Sequence, residues 1–256
     1  MKRKKELSNK NSNTHYMSTP NSGKSLPEML KQKADNFRLK NSYKEAISTY
    51  LNSILLDRNN PQSYFGLGIC YKNIGKIKKA IENLEKSILL DTENFETFYQ
   101  LGLCHLKDET PCKAIKCFIQ AIQLEPDNPD AIYHLGLAHE QCDEQDMALM
   151  IYQKLIENSP TYLNAYIRKS TLFMKMDLYK QALNLYIKAL EINPEYTKIY
   201  SEIGLCFDKL GKQTEAKRYY RKFLYSEPND EKANLVMKRV EKLKQTEKPR
   251  AKLSLV

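Results

Sequence analysis

The chain has 256 residues, 41% hydrophobic and 28% charged, with 8 Gly, 10 Pro and a formal net charge of +10. That is enough apolar residue for a core and too little Gly and Pro for a collagen-like or linker protein. No run approaches the ~18 apolar residues of a membrane span, and alternating β-branched runs are missing, so a mostly helical, soluble intracellular protein is expected.

The positive charge sits at the two ends. Residues 1–26 are net +5, residues 231–256 are net +5, and the body between them holds 27 bases and 27 acids. A pI near 9.1 is therefore poor evidence for a nucleic-acid-binding fold. Residues 1–26 are rich in Lys, Asn and Ser with few apolar groups, which predicts a disordered basic segment. MKRKKELSNK has no apolar stretch after its basic start, so no secretory signal is expected.

From Pro27 a 34-residue unit recurs six times without insertion or deletion: 27–60, 61–94, 95–128, 129–162, 163–196 and 197–230. Position 8 of the unit is Ala34, Gly68, Gly102, Gly136, Ser170 and Gly204. Position 20 is Ala46, Ala80, Ala114, Ala148, Ala182 and Ala216. Small side chains at both places let two antiparallel helices approach closely. Bulky residues surround them, as at position 24: Tyr50, Leu84, Phe118, Tyr152, Tyr186 and Tyr220. Pro126, Pro160, Pro194 and Pro228 stand near the end of the last four units, where a missing N–H stops a helix. Unit 1 is atypical, with Lys33 where later units carry Leu, as suits the exposed end of a stack; Lys169 in unit 5 is the same departure inside the array.

This spacing resembles the tetratricopeptide repeat. The resemblance implies an all-α fold: a right-handed α-solenoid of stacked antiparallel helix pairs. After it, Ala233, Val236, Val240 and Leu243 recur at helical spacing, which predicts a capping helix over 231–245. Residues 246–256 have no such period and read as a flexible basic tail.

Motifs of chemistry are missing. There is no phosphate-binding G-x-x-x-x-G-K-S/T, no H-E-x-x-H and no G-x-S-x-G. Gly66-Leu67-Gly68 mimics a dinucleotide loop, but no strand precedes it and it belongs to the repeat. Cys70, Cys104, Cys112, Cys117, Cys142 and Cys206 form no C-x-x-C pair and read as thiols, mostly buried. His105, Cys112, Cys117, His139 and Cys142 invite a zinc reading. His105 and His139 stand where other units carry Phe or Tyr, which predicts core rings. No cofactor, no metal and no enzymatic activity are expected.

In the family that the chain resembles, positions 2, 5, 6, 9, 12 and 13 of the first helix line a concave surface. Two ladders there are apolar through units 2 to 4: Phe65, Tyr99 and Tyr133 at position 5, and Ile69, Leu103 and Leu137 at position 9. His134 and Arg168, at position 6, are the candidates to hold the polar part of a ligand. Interaction strip and inter-unit packing are both open for these ladders. Units 3 and 4 add an acidic waist, mostly Glu140, Asp143, Glu144, Asp146 and Glu157, which reads either as a solvated face or as a site for a basic peptide.

Family members that clamp the carboxy-terminal carboxylate of chaperones use a set of Lys, Asn and Arg positions. Here Lys31 is followed by Asp35 and Gly66, and Lys198 by Glu202, so a chaperone clamp is not expected. The reading for the whole chain is a non-enzymatic scaffold that binds a peptide or helix of a partner protein in the concave groove. The alternatives are a targeting or assembly subunit of an enzyme complex, such as a glycosyltransferase, and a basic-tailed adaptor to nucleic acid or an anionic membrane. A cytoplasmic location is expected, or a nuclear one through the basic start.

Overall fold

Every unit folds as two helices joined by the same turn. Unit 1 pairs α1 (Leu26–Leu39) with α2 (Tyr43–Leu56), and unit 2 pairs α3 (Pro61–Asn73) with α4 (Ile77–Leu90). Units 3 and 4 follow as α5 (Phe95–Lys107) with α6 (Pro111–Leu124) and α7 (Pro129–Gln141) with α8 (Gln145–Asn158). Units 5 and 6 are α9 (Leu163–Lys175) with α10 (Tyr179–Ile192) and α11 (Ile199–Lys209) with α12 (Gln213–Ser226). A last helix, α13 (Ala233–Gln245), lies on α12. This computed structural model describes residues 24–245, so the expectations for most of the basic start and for the tail lie outside the described residues. Among the described residues there is no strand, and no helix is long and apolar enough to cross a membrane.

The helix ends follow from side-chain chemistry. Asn60, Asn94 and Asn128 close three units, and each accepts a hydrogen bond from a backbone N–H in the first turn of the next helix, at 3.0, 3.0 and 3.2 Å. That satisfies one of the orphan donors of a helix start. The turn inside each unit places position 15 in the left-handed region: Asn41, Gly75, Glu109, Asp143, Asp177 and Gly211, with φ between 54° and 76°. Only two of these six are glycine, although the conformation favours it.

Within a unit, the position-24 side chain presses on position 8. A Cβ on Gly68, Gly102, Gly136 or Gly204 would stand 2.5–2.8 Å from Leu84, Phe118, Tyr152 or Tyr220 respectively. Glycine there admits the ring, and the invariant alanines at position 20 are fully buried beside it. Ser53 and Ser87 tie each second helix to its own unit's first residue, donating to the carbonyls of Pro27 and Pro61 at 2.8 and 2.9 Å. The cap buries Ala233, Val236, Val240 and Leu243 against Ala216, Tyr220 and Phe223.

Lys169 has a place after all. Its ammonium lies 5.6 Å from the centroid of the Phe173 ring and donates to the side-chain amide oxygen of Gln153. The methylene stem covers apolar surface while the charge stays at the edge.

Candidate binding groove

The two ladders fall on α3, α5 and α7, the first helices of units 2 to 4. Ile69 is buried, and Phe65, Tyr99, Leu103, Tyr133 and Leu137 are each half-buried. Phe65 packs on the core around Leu84 and Leu101, and Tyr99 and Leu103 pack on the core around Phe118. Tyr99 stacks on Phe95 at 5.7 Å, and its hydroxyl meets His134 Nδ1 at 3.1 Å. Tyr133 is flanked by Tyr152 and Tyr162, at 6.2 and 5.5 Å between centroids. Part of each ladder ring is therefore packed in the array, and part stays exposed.

The two polar candidates are engaged inside the stack. His134 Nδ1 lies 2.8 Å from the Asp130 carbonyl, and burial holds the imidazole below its ordinary pKa. Arg168 hydrogen-bonds Tyr133 and lies 3.9 Å from Glu140, whose other oxygen accepts from the Tyr152 hydroxyl at 2.6 Å. Tyr133, Arg168, Glu140 and Tyr152 thus form one chain across units 4 and 5. The same device recurs at the end of the array. Arg239 of α13 grips Asp208 through two bonds of 2.5 and 2.6 Å, and the Tyr220 hydroxyl donates to that carboxylate at 3.3 Å. Bidentate pairing of this kind fixes orientation as well as charge.

A cleft of about 1080 Å³ opens beside units 5 and 6. Its walls include Ile167 and Ser201 from position 5, Thr171 and Leu205 from position 9, and Lys175 and Lys209 from position 13. A second cleft of about 580 Å³ continues along Ser201, Glu202 and Leu205 to Leu235 and Arg239 of α13. Ile167 and Ser201 replace the aromatic rings that stand at position 5 of units 2 to 4, and Thr171 replaces the Ile or Leu at position 9, while Leu205 keeps it. Space is therefore left open here, whereas there it is filled.

Tetratricopeptide-repeat models match residues 49–82, 113–143, 130–162, 163–196 and 197–230. The chain belongs to the tetratricopeptide-repeat family. No curated protein sequence matches it. Among solved structures, YrrB, a TPR protein with an unusual peptide-binding site, is 17% identical with a TM-score of 0.60, covering 74% of this chain and 97% of its own. Pseudomonas aeruginosa pilF is 14% identical with a TM-score of 0.67, covering 83% and 97%. PilW, a widely conserved type IV pilus biogenesis factor, is 14% identical with a TM-score of 0.69, covering 84% and 100%. At these identities the likeness is one of fold.

The tetratricopeptide array also shows what periodicity hides. Among the described residues its two most exposed large apolar side chains, Leu89 and Tyr225 at 82 and 91%, lie on second helices at position 29, where Leu55 is 69% exposed as well. Much of the acidic waist is spent internally. Glu140 serves Tyr152 and Arg168, Glu144 lies 2.5 Å from His139 Nδ1, and Glu157 accepts from Gln153. His105 and His139 are buried, and His105 Nδ1 meets the Thr110 hydroxyl at 3.0 Å. Among the described residues no three His, Cys, Asp or Glu side chains gather as a metal site would need.

Proposed function

We propose that this chain is a non-enzymatic cytoplasmic scaffold whose concave face binds an extended or helical segment of a partner protein. Tetratricopeptide-repeat proteins are in general protein-interaction modules, and YrrB is described by its peptide-binding site. The observation that carries the reading is the shared register. Positions 5, 9 and 13 line an open cleft in units 5 and 6, and the same positions present the half-buried edges of Tyr99, Tyr133, Leu103 and Leu137 farther along. A segment lying on that line meets apolar anchors one unit apart and then the lysines of the cleft. His134 and Arg168 hold the rings that form its floor.

The test is site-specific cross-linking. A photo-reactive residue is placed at position 137 or 205 on the concave line, and at 89 or 150 on the outer faces of α4 and α8. The reading expects one partner segment captured from the concave positions and not from the outer ones. Capture from the outer positions alone would overturn it.

A second reading, attachment to an anionic surface, has one observation in its favour. Arg218, Arg221 and Lys222 stand on one exposed face of α12 beside Tyr225, and no ion pair engages them among the described residues. Binding through that face weakens steeply with salt, whereas binding anchored on the apolar ladders weakens far less.

A further inference from the structure

Six cysteines are carried as thiols, and two of them differ from the rest. Cys70, Cys104, Cys117 and Cys206 are buried, and burial pushes their thiols up to about 11, 11, 12 and 12. Thiols that hold their protons so firmly supply little of the thiolate that oxidants attack. Cys112 is exposed, in the first turn of α6, and Cys142 is partly exposed, at the end of α7. Their sulfurs lie 3.3 Å apart, across the boundary between units 3 and 4. A disulfide bond needs about 2.05 Å, so an approach of roughly 1.3 Å closes the pair.

We propose that Cys112 and Cys142 are an oxidative modification site, joined by hydroperoxide into a reversible disulfide that ties unit 3 to unit 4. The Cys112 thiolate attacks one oxygen of hydrogen peroxide. A sulfur–oxygen bond forms, the oxygen–oxygen bond breaks, and the hydroxide that leaves takes up the thiol's proton as water. The Cys142 sulfur then attacks the sulfenic sulfur of Cys112. The sulfur–sulfur bond forms, the sulfur–oxygen bond breaks, and the second hydroxide leaves as water with the Cys142 proton. Two thiols give up two electrons and two hydrogens, and one peroxide becomes two waters. Cys142 suits the second step. Its sulfur already lies 3.3 Å from that of Cys112, and it is partly exposed where the four other thiols are buried. A dithiol reverses the link by exchange.

The location gives the link a mechanical consequence. Cys112 follows the turn inside unit 3 and Cys142 enters the turn inside unit 4, so the bond would pin two successive turns along one edge of the stack. The curvature of a solenoid is the sum of small rotations between units. Pinning one edge fixes one of those rotations.

The experiment oxidises the full reduced chain with hydrogen peroxide, blocks remaining thiols by alkylation, and maps digested peptides by mass spectrometry. The expected result is a peptide joining Cys112 to Cys142, lighter by two hydrogens, lost on treatment with dithiothreitol and missing from Cys112→Ser and Cys142→Ser proteins. Hydrogen exchange in units 3 and 4 should slow in the linked form. Circular dichroism before and after oxidation shows whether the helices persist. With the helices intact, free thiols at both positions, a Cys112-linked dimer of two chains, or over-oxidation of Cys112 without a link would each overturn the proposal.

Discussion

The ring of Tyr50 crosses from unit 1 into unit 2 and lies where a side chain on Gly66 would be: a Cβ there would stand 2.3 Å from Cζ of the tyrosine. The phenol is held at its far end, donating to Asp35 at 2.5 Å and accepting from Arg38 at 3.2 Å. Gly66 is the only glycine at position 6 in the six units, so this interlock belongs to the first junction alone.

Gly66→Ala should therefore destabilise the first two units. Alanine gains about 1 kcal/mol of helix propensity over glycine, but overpacking against a ring fixed at both ends costs about 1–3 kcal/mol. Urea unfolding with hydrogen exchange resolved by unit is the measurement. Unchanged or raised protection in α2 and α3 would count against the interlock.

Glu109 offers the opposite sign. It sits at φ 54°, in the left-handed region, between α5 and α6. A side chain there costs about 1–2 kcal/mol relative to right-handed backbone, part of which glycine returns to a more flexible unfolded chain. Glu109→Gly should raise stability by about 0.5–1 kcal/mol, read as a higher denaturation midpoint. A lower midpoint would show that the glutamate side chain does more than occupy a turn.

Arg239→Ala should loosen the cap. The change removes both bonds to Asp208, a carboxylate only 7% exposed, and leaves it the Tyr220 hydroxyl. Because Arg239 itself is 41% exposed, solvent screens the pair and the loss is about 1–2 kcal/mol. Hydrogen exchange should quicken across α13 and the end of α12 while units 1 to 4 stay as they were, since each unit contacts only its neighbours. Uniform loss across the array would contradict that locality.

Acid should weaken the middle of the array. Burial lowers the pKa of His105 and of His134 in the folded chain. Below the unfolded value of about 6.5 the unfolded chain binds more protons than the native one, so stability is greatest above that pH and falls as pH drops through the folded values. Melting temperature should decline from pH 7.5 toward pH 5, and His134→Gln should flatten part of the slope. A variant with the full wild-type slope would remove His134 from the account.

The six-unit register was legible because glycine, alanine and bulky apolar residues repeat where packing demands them. Gly68 against Leu84 and Ala148 beside Tyr152 could be placed by spacing alone, and so could the Ala233, Val236, Val240 and Leu243 face of α13. The left-handed turn was not, because backbone geometry imposes it on Asn41, Glu109, Asp143 and Asp177 as well as on two glycines. The Tyr133–Arg168–Glu140–Tyr152 chain was also hidden, since it depends on how far long side chains reach between units. Whether Tyr99 and Tyr133 are floor or filling was undecidable from spacing, because each ring is half-buried: part of it packs on the core and part stays exposed. The Asn60, Asn94 and Asn128 caps were readable in principle, standing one residue before each helix start.

The left-handed residue at position 15 sets how this chain can change length. Each turn sends the second helix off in one direction, and the following unit inherits that phase. Dropping a single residue from a helix would rotate everything beyond it by about 100°, moving groove side chains to the outer wall. A gain or loss of 34 residues restores the phase and only lengthens or shortens the array by one unit. Variation in this architecture is thus quantised: its reach can be edited by whole repeats, while its aim is preserved.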